Sequence, residues 1–173
     1  MTHPRQLIRE AVVARLTGAT DAGSRVVATR VEPLNRKGVF PVLSVYTVGE
    51  DAERGGSAPV ELVRTVAVEI TGWVIAAPID NAIDQLAEQV EAAMDADPFL
   101  AGSAGDSQLR RTEITYLDDG DPIVGVLTLT YDVEYRTSPA VATGLDDFRR
   151  AATTTAIGGA TAADLVTVQG APP

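Results

Sequence analysis

The clearest alternation of apolar and polar positions runs through the middle of the chain. From Leu62 to Val74, the residues at every second position are mainly apolar, and the positions between them hold both apolar and polar residues. Successive side chains of a strand point to opposite faces of a sheet. The pattern therefore predicts one long strand with a dry face and a wetter face.

An amphipathic helix is predicted directly after this strand. Pro78 has no N–H to donate and ends the strand, and Asp80 or Asn81 is expected to accept hydrogen bonds from the first helical turn. Apolar residues then recur at spacings of three and four, at Ile79, Ile83, Leu86, Val90 and Met94. This stripe predicts a helix that lies on the sheet.

The other segments complete an α+β pattern. Residues 4–17 predict a first helix, residues 25–34 a short edge strand, and residues 39–50 a stronger strand. Residues 108–137 predict an antiparallel hairpin with its turn at Asp118 to Pro122. This order predicts two layers: one mostly antiparallel sheet with two helices packed on one face.

Two stretches have the composition of loops or extensions. Residues Glu50 to Pro59 combine charges with two glycines and a proline, which predicts a mobile excursion between strands. From Ser138 onward the chain is rich in Ala, Thr and Gly. We therefore predict a compact domain of residues 1–137 and an irregular C-terminal extension of residues 138–173. Within the extension, residues 164–168 have strand chemistry and are expected to pair with an edge strand of a neighbouring subunit or partner.

The composition and charge of the chain exclude or disfavour several kinds of functional site. The chain has 173 residues, a formal charge of -10, no cysteine and one histidine. Disulfides, thiolate metal sites and a cysteine nucleophile are excluded. His3 is expected in a frayed, solvated terminus, so a catalytic triad is not expected. The acidic charge disfavours a DNA reader but is compatible with a ring or channel through which DNA slides. No apolar run predicts a signal peptide or a membrane span.

Two acidic clusters have alternative interpretations. Asp118, Asp119 and Asp121 could be oxygen ligands of a hard cation, but Asp-Gly is what a tight hairpin turn requires, and the plain turn is favoured. The second cluster lies on the exterior of the predicted central helix, at Asp84, Glu88, Glu91 and Asp95. A solvated face is favoured there over an acidic docking strip. We expect no catalytic residue, no cofactor and no metal, and hence no enzyme.

A resemblance to a known family is carried by "FPVLSVYTVGEDAE", residues 40–53. A proline opens an apolar strand that runs into Val45-Tyr46-Thr47 and then an acidic stretch. Four other segments agree with the family in their order along the chain: "RQLIREAVVARL" before this stretch, and "VRTVAVEITGWV", "IDQLAEQVEAAM" and "LTLTYDVEYRT" after it. Together they resemble the tail terminator (tail completion) proteins of long-tailed bacteriophages, the minor tail protein U family. The extension at residues 138–173 departs from the compact members of that family.

The resemblance implies a structural protein of the virion tail or neck, assembled in the host cytoplasm. Such proteins are α+β domains that form a hexameric ring on the end of the tail tube, stop its polymerisation and present the surface that joins the head. The implied partners are other copies of the chain, the tail tube protein and a head-completion or neck protein, with DNA passing through without sequence-specific binding. The alternatives are a head-completion or neck protein of the same particle, and a small-molecule-binding or enzymatic α+β domain with a concave apolar pocket.

The ring that the resemblance implies also predicts which residues form contacts between subunits. In a head-to-tail ring each subunit presents two different surfaces, so opposite charges are expected to meet. The Arg36-Lys37 turn is the predicted basic side, and Glu50, Asp51 and Glu53 form the predicted acidic side. The remaining interface candidates are Arg54, Asp132, Glu134, Leu165, Val166 and Val168.

Overall fold

The computed structural model describes residues 2–28, 37–57, 60–118 and 122–138, and the backbone of residues 150–157 and 160–167. The chain divides into two compact units, Met1–Pro139 and Ala140–Pro173. In chain order, the first unit contains α1 (Pro4–Leu16), β1 (Val26–Ala28), β2 (Val42–Ser57), β3 (Val60–Val74), α2 (Ile79–Asp95), a short 3-10 turn (Leu100–Gly102), β4 (Asp106–Leu117) and β5 (Val124–Thr137). The predicted α+β class is confirmed.

The five strands of this unit form one sheet in the order β1-β2-β3-β5-β4. β1 runs parallel to β2, and every other neighbouring pair is antiparallel. The strand predicted from the central alternation is β3, which lies in the middle of the sheet. Its Ile70 lies opposite Val45 of β2 and Leu129 of β5. The prediction of a mostly antiparallel sheet is therefore also confirmed.

Both helices pack on the same face of the sheet, which we call the helix face. The buried stripes are Ile8, Val12 and Leu16 on α1, and Ile83, Leu86, Val90 and Met94 on α2. They share one core with the buried sheet residues Leu43, Val45, Val66, Val68, Ile70, Val74, Leu127, Leu129, Tyr131, Val133 and Tyr135. The dry face of β3 is thus the face that the helices cover.

Gly72 lets α2 approach the sheet closely. A Cβ atom at this position would lie 2.9 Å from Cδ2 of Leu86 and 3.1 Å from Cδ2 of Leu43. Both distances are shorter than ordinary van der Waals contacts, so the Leu86 and Leu43 side chains would have to shift to make room for a larger residue. The glycine therefore relieves crowding in the interface between α2 and β3.

The helix N-termini differ from the predictions. His3 is the N-cap of α1 and its Nδ1 accepts the backbone N–H of Arg5 at 3.2 Å, so it is not a frayed residue. The N-cap of α2 is Pro78, which makes no side-chain capping bond. Because α2 begins at Ile79, Asp80 already lies in its first turn, where a negative charge favours the helix dipole. The carboxylate of Asp80 accepts the hydroxyl of Tyr116 on β4 instead.

The predicted mobile excursion at residues 50–59 is wrong. β2 continues to Ser57 and pairs with β3 over its whole length, with Asp51 opposite Thr65 and Glu53 opposite Val63. Only residues 58 and 59 of this stretch lie outside the described residues. The backbone groups of β3 give these charged and glycine residues a partner. Register shifts between Thr47 and Gly49 and between Arg54 and Gly56 leave Val48 and Gly55 as the extra residues of two bulges.

The C-terminal unit contains a hairpin. Strands β6 (Arg150–Ile157) and β7 (Ala160–Thr167) pair antiparallel in a separate two-stranded sheet. Residues 164–167 therefore pair with residues 150–153 of the same unit and not with an edge of another sheet. Residues 153–157 and 160–163, whose Ala, Thr and Gly content indicated an irregular extension, are strand as well, and threonine has a high strand propensity. In the sequence, a Gly-Gly pair between two such runs is a signal for a hairpin.

Candidate assembly surfaces

The face of the sheet opposite the helices, called here the second face, carries four of the predicted interface residues. Asp51 lies opposite Thr65, and Thr65 lies opposite Glu134 of β5, so the three share this face. Glu53 lies opposite Val63, two residues along β3, and is on the same face. Asp132 of β5 lies on it as well, beside Arg110 of β4. The structure therefore brings Asp51, Glu53, Asp132 and Glu134 to one surface that neither α1 nor α2 covers.

In the described part of the chain the sheet has two long outer edges. β4 is the last strand of the sheet on one side. On the other side the described residues of β1 pair with Leu43 to Val45 of β2. Within the described residues, the edge of β2 from Tyr46 to Ser57 therefore has no neighbouring strand. An unpaired edge presents a row of backbone donors and acceptors that can pair with another chain.

The two edges carry opposite charges on the second face. On β4, a bulge between Leu109 and Arg111 lets both Arg110 and Arg111 lie on this face. The side chains of Arg110 and Arg111 are 64% and 65% exposed, and each makes one ion pair, with Asp132 at 3.5 Å and with Glu113 at 2.6 Å. On β2, Asp51 and Glu53 are exposed. The basic pair and the acidic pair are thus at opposite ends of the strand order.

Glu50 does not belong to this exposed acidic group. The bulge at Gly49 turns its side chain to the helix face, where its carboxylate is only 9% exposed. It lies 3.3 Å from the guanidinium of Arg5 on α1 and 3.4 Å from that of Arg64 on β3. It also accepts the hydroxyl of Tyr135, while Nε of Arg64 donates to Thr137 at 2.9 Å. Glu50 was predicted at a contact between subunits, and in the structure its charge is balanced by Arg5 and Arg64 of its own subunit.

The electrostatics of this cluster are those of a structural ion pair. Burial alone would raise the pKa of Glu50, but the hydrogen bond from Tyr135 and the charges of Arg5 and Arg64 outweigh it and lower the pKa below 4.5. Burial, together with the hydrogen bond to Glu50, raises the pKa of Tyr135 to about 12. At neutral pH these ion pairs therefore link Arg5, at the start of α1, to Glu50 and Arg64 in the far half of the β2–β3 hairpin. Sequence spacing gave no signal for it, because its members are far apart in the chain.

The remaining predicted interface residues are scattered. Lys37 is exposed in the turn before β2, and Arg54 is exposed on β2 opposite Leu62. Leu165 and Val166 belong to β7, opposite Ala152 and Ala151. Arg36 and Val168 lie outside the described residues. The structure therefore brings together four of the predicted interface residues, Asp51, Glu53, Asp132 and Glu134.

A groove runs between α2 and β4 on the helix face; we call it the acidic groove. It is lined by Asp84, Ala87, Glu88, Glu91, Ala92, Asp95, Thr112 and Ile114. Within the described residues, none of its four carboxylates makes an ion pair or a hydrogen bond. The two basic residues of β4, Arg110 and Arg111, lie on the second face and do not neutralise it. The groove is open along its length.

Neither a metal site nor a membrane-spanning helix is present among the described residues. Among them, no group of three or more His, Cys, Asp or Glu side chains is placed to hold a metal ion. The one histidine is engaged as a helix cap by the backbone of Arg5. No helix in the described part of the chain is both long enough and apolar enough to cross a bilayer. The notable surfaces are therefore sheet edges, the second face and the acidic groove.

Comparisons with known proteins give structural likeness but no family match. No protein-family model matches the chain, and no curated protein matches it. Among solved structures it is similar to a chain of the virion of a native gene transfer agent particle, with a TM-score of 0.36 and 16% sequence identity. The alignment covers 78% of this chain and 92% of that one.

Proposed function

We propose that this protein is a structural component of a phage-like virion: a tail terminator whose subunits form a closed ring. The ring caps the tail tube, ends its polymerisation and presents the surface to which the head joins. The family resemblance of residues 40–53 and of the element order is the source of this proposal. The arrangement of the two sheet edges is the structural observation that supports it.

The directions of the edge strands suit a ring. β2 and β5 run one way, and β3 and β4 run the other way, since each neighbouring pair is antiparallel. If subunits repeat about an axis along the strands, β4 of one copy meets β2 of the next in an antiparallel orientation. A contact between two different edges is heterologous, and such contacts close into rings. Pairing in the ring would also remove the exposed edges of the isolated subunit.

The charges of the second face agree with this arrangement. Arg110 and Arg111 at the β4 edge would lie on the same face as Asp51 and Glu53 of the neighbouring β2. Opposite charges across a contact favour the correct partner and fix its register. The second face carries more carboxylates than basic groups, so as the lining of the opening it would repel DNA phosphates and let DNA pass without binding.

The proposal includes the absence of catalytic turnover and of a cofactor. The partners are further copies of the chain, the tail tube protein and a head-completion or neck protein, and the location is the tail or neck of the virion. Enzymes that act on small molecules bind them in a concave pocket with convergent polar groups. The acidic groove is open, and its polar groups are carboxylates of one sign, which favours a protein-binding surface.

A charge-swap experiment tests the edge contact. Arg110→Glu with Arg111→Glu, and separately Asp51→Arg with Glu53→Arg, should each weaken the ring, and the chain that carries all four changes should recover it. The assembly state is read by sedimentation velocity. Arg136→Glu is the matched control, because Arg136 lies on the same face but on the inner strand β5, where it pairs with Glu61 at 3.1 Å.

The predicted alternative contact is tested with the same samples. Arg36→Glu with Lys37→Glu is combined with the Asp51 and Glu53 reversal. Rescue by this pair, and not by the Arg110 and Arg111 pair, would show that the turn and not β4 is the basic side. Unchanged assembly in every variant would contradict the edge contact altogether.

A further inference from the structure

The helix face of the outermost strand, β4, is largely open. α1 lies mainly over β1 and β2, and α2 lies mainly over β3 and β5. Three apolar residues on the helix face of β4 remain exposed, Leu109 to 39%, Ile114 to 43% and Tyr116 to 47%, and we call them the open strip. Apolar surface that adjoins a buried core in this way indicates an interaction surface.

Arg9 of α1 lies at the other edge of the sheet and has no counter-charge. Its Nη1 donates to Oγ1 of Thr47 on β2 at 3.2 Å, which is its one hydrogen bond within the described residues. Its buried Nε has no partner, and its Nη2 is neither bonded nor enclosed. Arg15, by contrast, points towards α2, where its Nε donates to the carbonyl oxygen of Ala93 at 2.6 Å. A guanidinium has five N–H donors and pairs best with carboxylates, so Arg9 calls for an acidic partner from outside the subunit.

The two edges of the proposed ring contact match in length. β4 has 12 residues. The stretch of β2 from Tyr46 to Ser57, which has no neighbouring strand in the described part of the chain, has the same number. The whole of β4 can therefore pair with this stretch of the next copy.

Charges on the second face select the register of this pairing. Arg111 opposite Asp51 of the next copy joins opposite charges. With Val48 bulged out of its strand, Ile114 then lies opposite Thr47 of the next copy, and both residues are on the helix face. Paired strands are about 4.8 Å apart. The guanidinium that Thr47 holds therefore comes to lie beside the open strip.

Asp84 and Glu88 are the carboxylates at the level of Ile114. Leu86 lies between them on α2 and packs against β3 at Gly72, whose row across the sheet ends at Ile114 of β4. Both carboxylates line the acidic groove together with Ile114. A cation above Ile114 is therefore within the groove.

We propose that Arg9 of one copy binds Asp84 and Glu88 of the next copy, while the start of its α1 covers the open strip. The contact rests on the proposed ring and adds a second site to it, on the helix face. Charge complementarity selects another copy as the occupant, because the half-buried guanidinium and the groove each lack a counter-charge within the described residues of their own subunit. Like charges four residues apart destabilise a helix, so the cation also relieves repulsion along α2.

Charge reversal on each side tests this contact in the full chain. Arg9→Glu, and separately Asp84→Arg with Glu88→Arg, should each raise the concentration needed for assembly by about tenfold or more, as expected for the loss of a charge-assisted contact. Sedimentation velocity at physiological salt measures this concentration. Arg136→Glu changes the net charge by as much as Arg9→Glu does, but on the second face of an inner strand, and should leave assembly unchanged.

Mixing the two variants separates the contact from an effect on folding. In a ring with an even number of subunits, alternating copies pair each reversed Arg9 with a reversed groove, so an equimolar mixture should recover assembly. A mixture that does not recover it would overturn the contact. Rings that persist in Arg9→Glu but are lost in the Arg110→Glu, Arg111→Glu variant would also overturn it and leave the ring itself standing. A wild-type chain that forms no ring would contradict the proposed function and this contact with it.

Discussion

Replacing Glu50 by glutamine tests whether the Glu50 cluster is a structural element of the subunit. Glutamine keeps the size of the side chain but removes the charge that faces Arg5 and Arg64. Hydrogen bonds to charged groups contribute about 1.5 to 3 kcal/mol each when the groups are desolvated. The side chains of Arg5 and Arg64 are 45% and 28% exposed, and solvent screens their part of the interaction.

We therefore expect Glu50→Gln to lower the free energy of unfolding by about 2 kcal/mol, which corresponds to a Tm lower by roughly 4 to 8 °C. Thermal unfolding followed by circular dichroism at pH 7 measures this change. Glu53→Gln is the control, because Glu53 lies three positions along the same strand but is exposed on the second face. It should shift the Tm by no more than about 1 to 2 °C.

The pH dependence gives an independent test of the same reasoning. The pKa of Glu50 is lower in the folded chain than its ordinary value of 4.5. The carboxylate therefore stabilises the fold fully above pH 4.5, and this contribution is lost as the pH falls through the folded-state pKa. The difference in Tm between wild type and Glu50→Gln should shrink on acidification below pH 4.5. Equal Tm values at pH 7, or a difference that grows in acid, would refute the structural role.

Two further changes probe the core and the chain division. Gly72→Ala should destabilise the protein by about 1 to 3 kcal/mol in chemical denaturation, because the added Cβ would crowd Leu86 and Leu43. Gly49→Ala should have a far smaller effect in the same assay, because nothing lies within 4 Å of its added Cβ. Truncation after Thr137 should leave a folded first unit with little change in Tm by calorimetry but a weaker ring by sedimentation. A truncated chain that fails to fold would instead assign residues 138–173 to the stability of the first unit.

Local patterns predicted the elements of the first unit well. The alternation in β3 and the stripe of α2 are direct consequences of side chains that face one shared core, so periodicity in the sequence reports their burial. Leu86 and Ile70, for example, are both fully buried or nearly so. The sheet class followed because two amphipathic helices need one apolar sheet face to cover.

The errors concern features that depend on pairing over long distances. The charged and glycine-rich stretch after Glu50 has a loop composition, and only the backbone of β3 makes it a strand. The Glu50 cluster, which also contains Arg5, Arg64 and Tyr135, forms only because the fold brings these residues into contact. They are far apart in the chain, so their spacing in the sequence does not predict the contact. In the C-terminal unit, the Gly-Gly pair was a usable hairpin signal that the Ala, Thr and Gly composition obscured.

The candidate assembly surfaces were predictable only in part. Asp132 and Glu134 were identified because alternation places them on the wetter face of their strand, whereas Asp51 and Glu53 were identified only by their charge in a stretch that was predicted to be a loop. The roles of Arg110 and Arg111 could not be identified, because they depend on a bulge in β4 and on its position at the edge of the sheet. Strand order is a property of the whole fold, and it decides which residues are available to a neighbouring subunit.

Electron microscopy of the purified full chain, with its mass determined in the same buffer, tests the central claim most directly. We expect closed rings with a central opening, composed of one kind of subunit. We expect the Arg110→Glu, Arg111→Glu variant to lose these rings. A protein that stays monomeric over the whole accessible concentration range, in the presence and absence of salt, would contradict the assignment to a self-assembling virion ring.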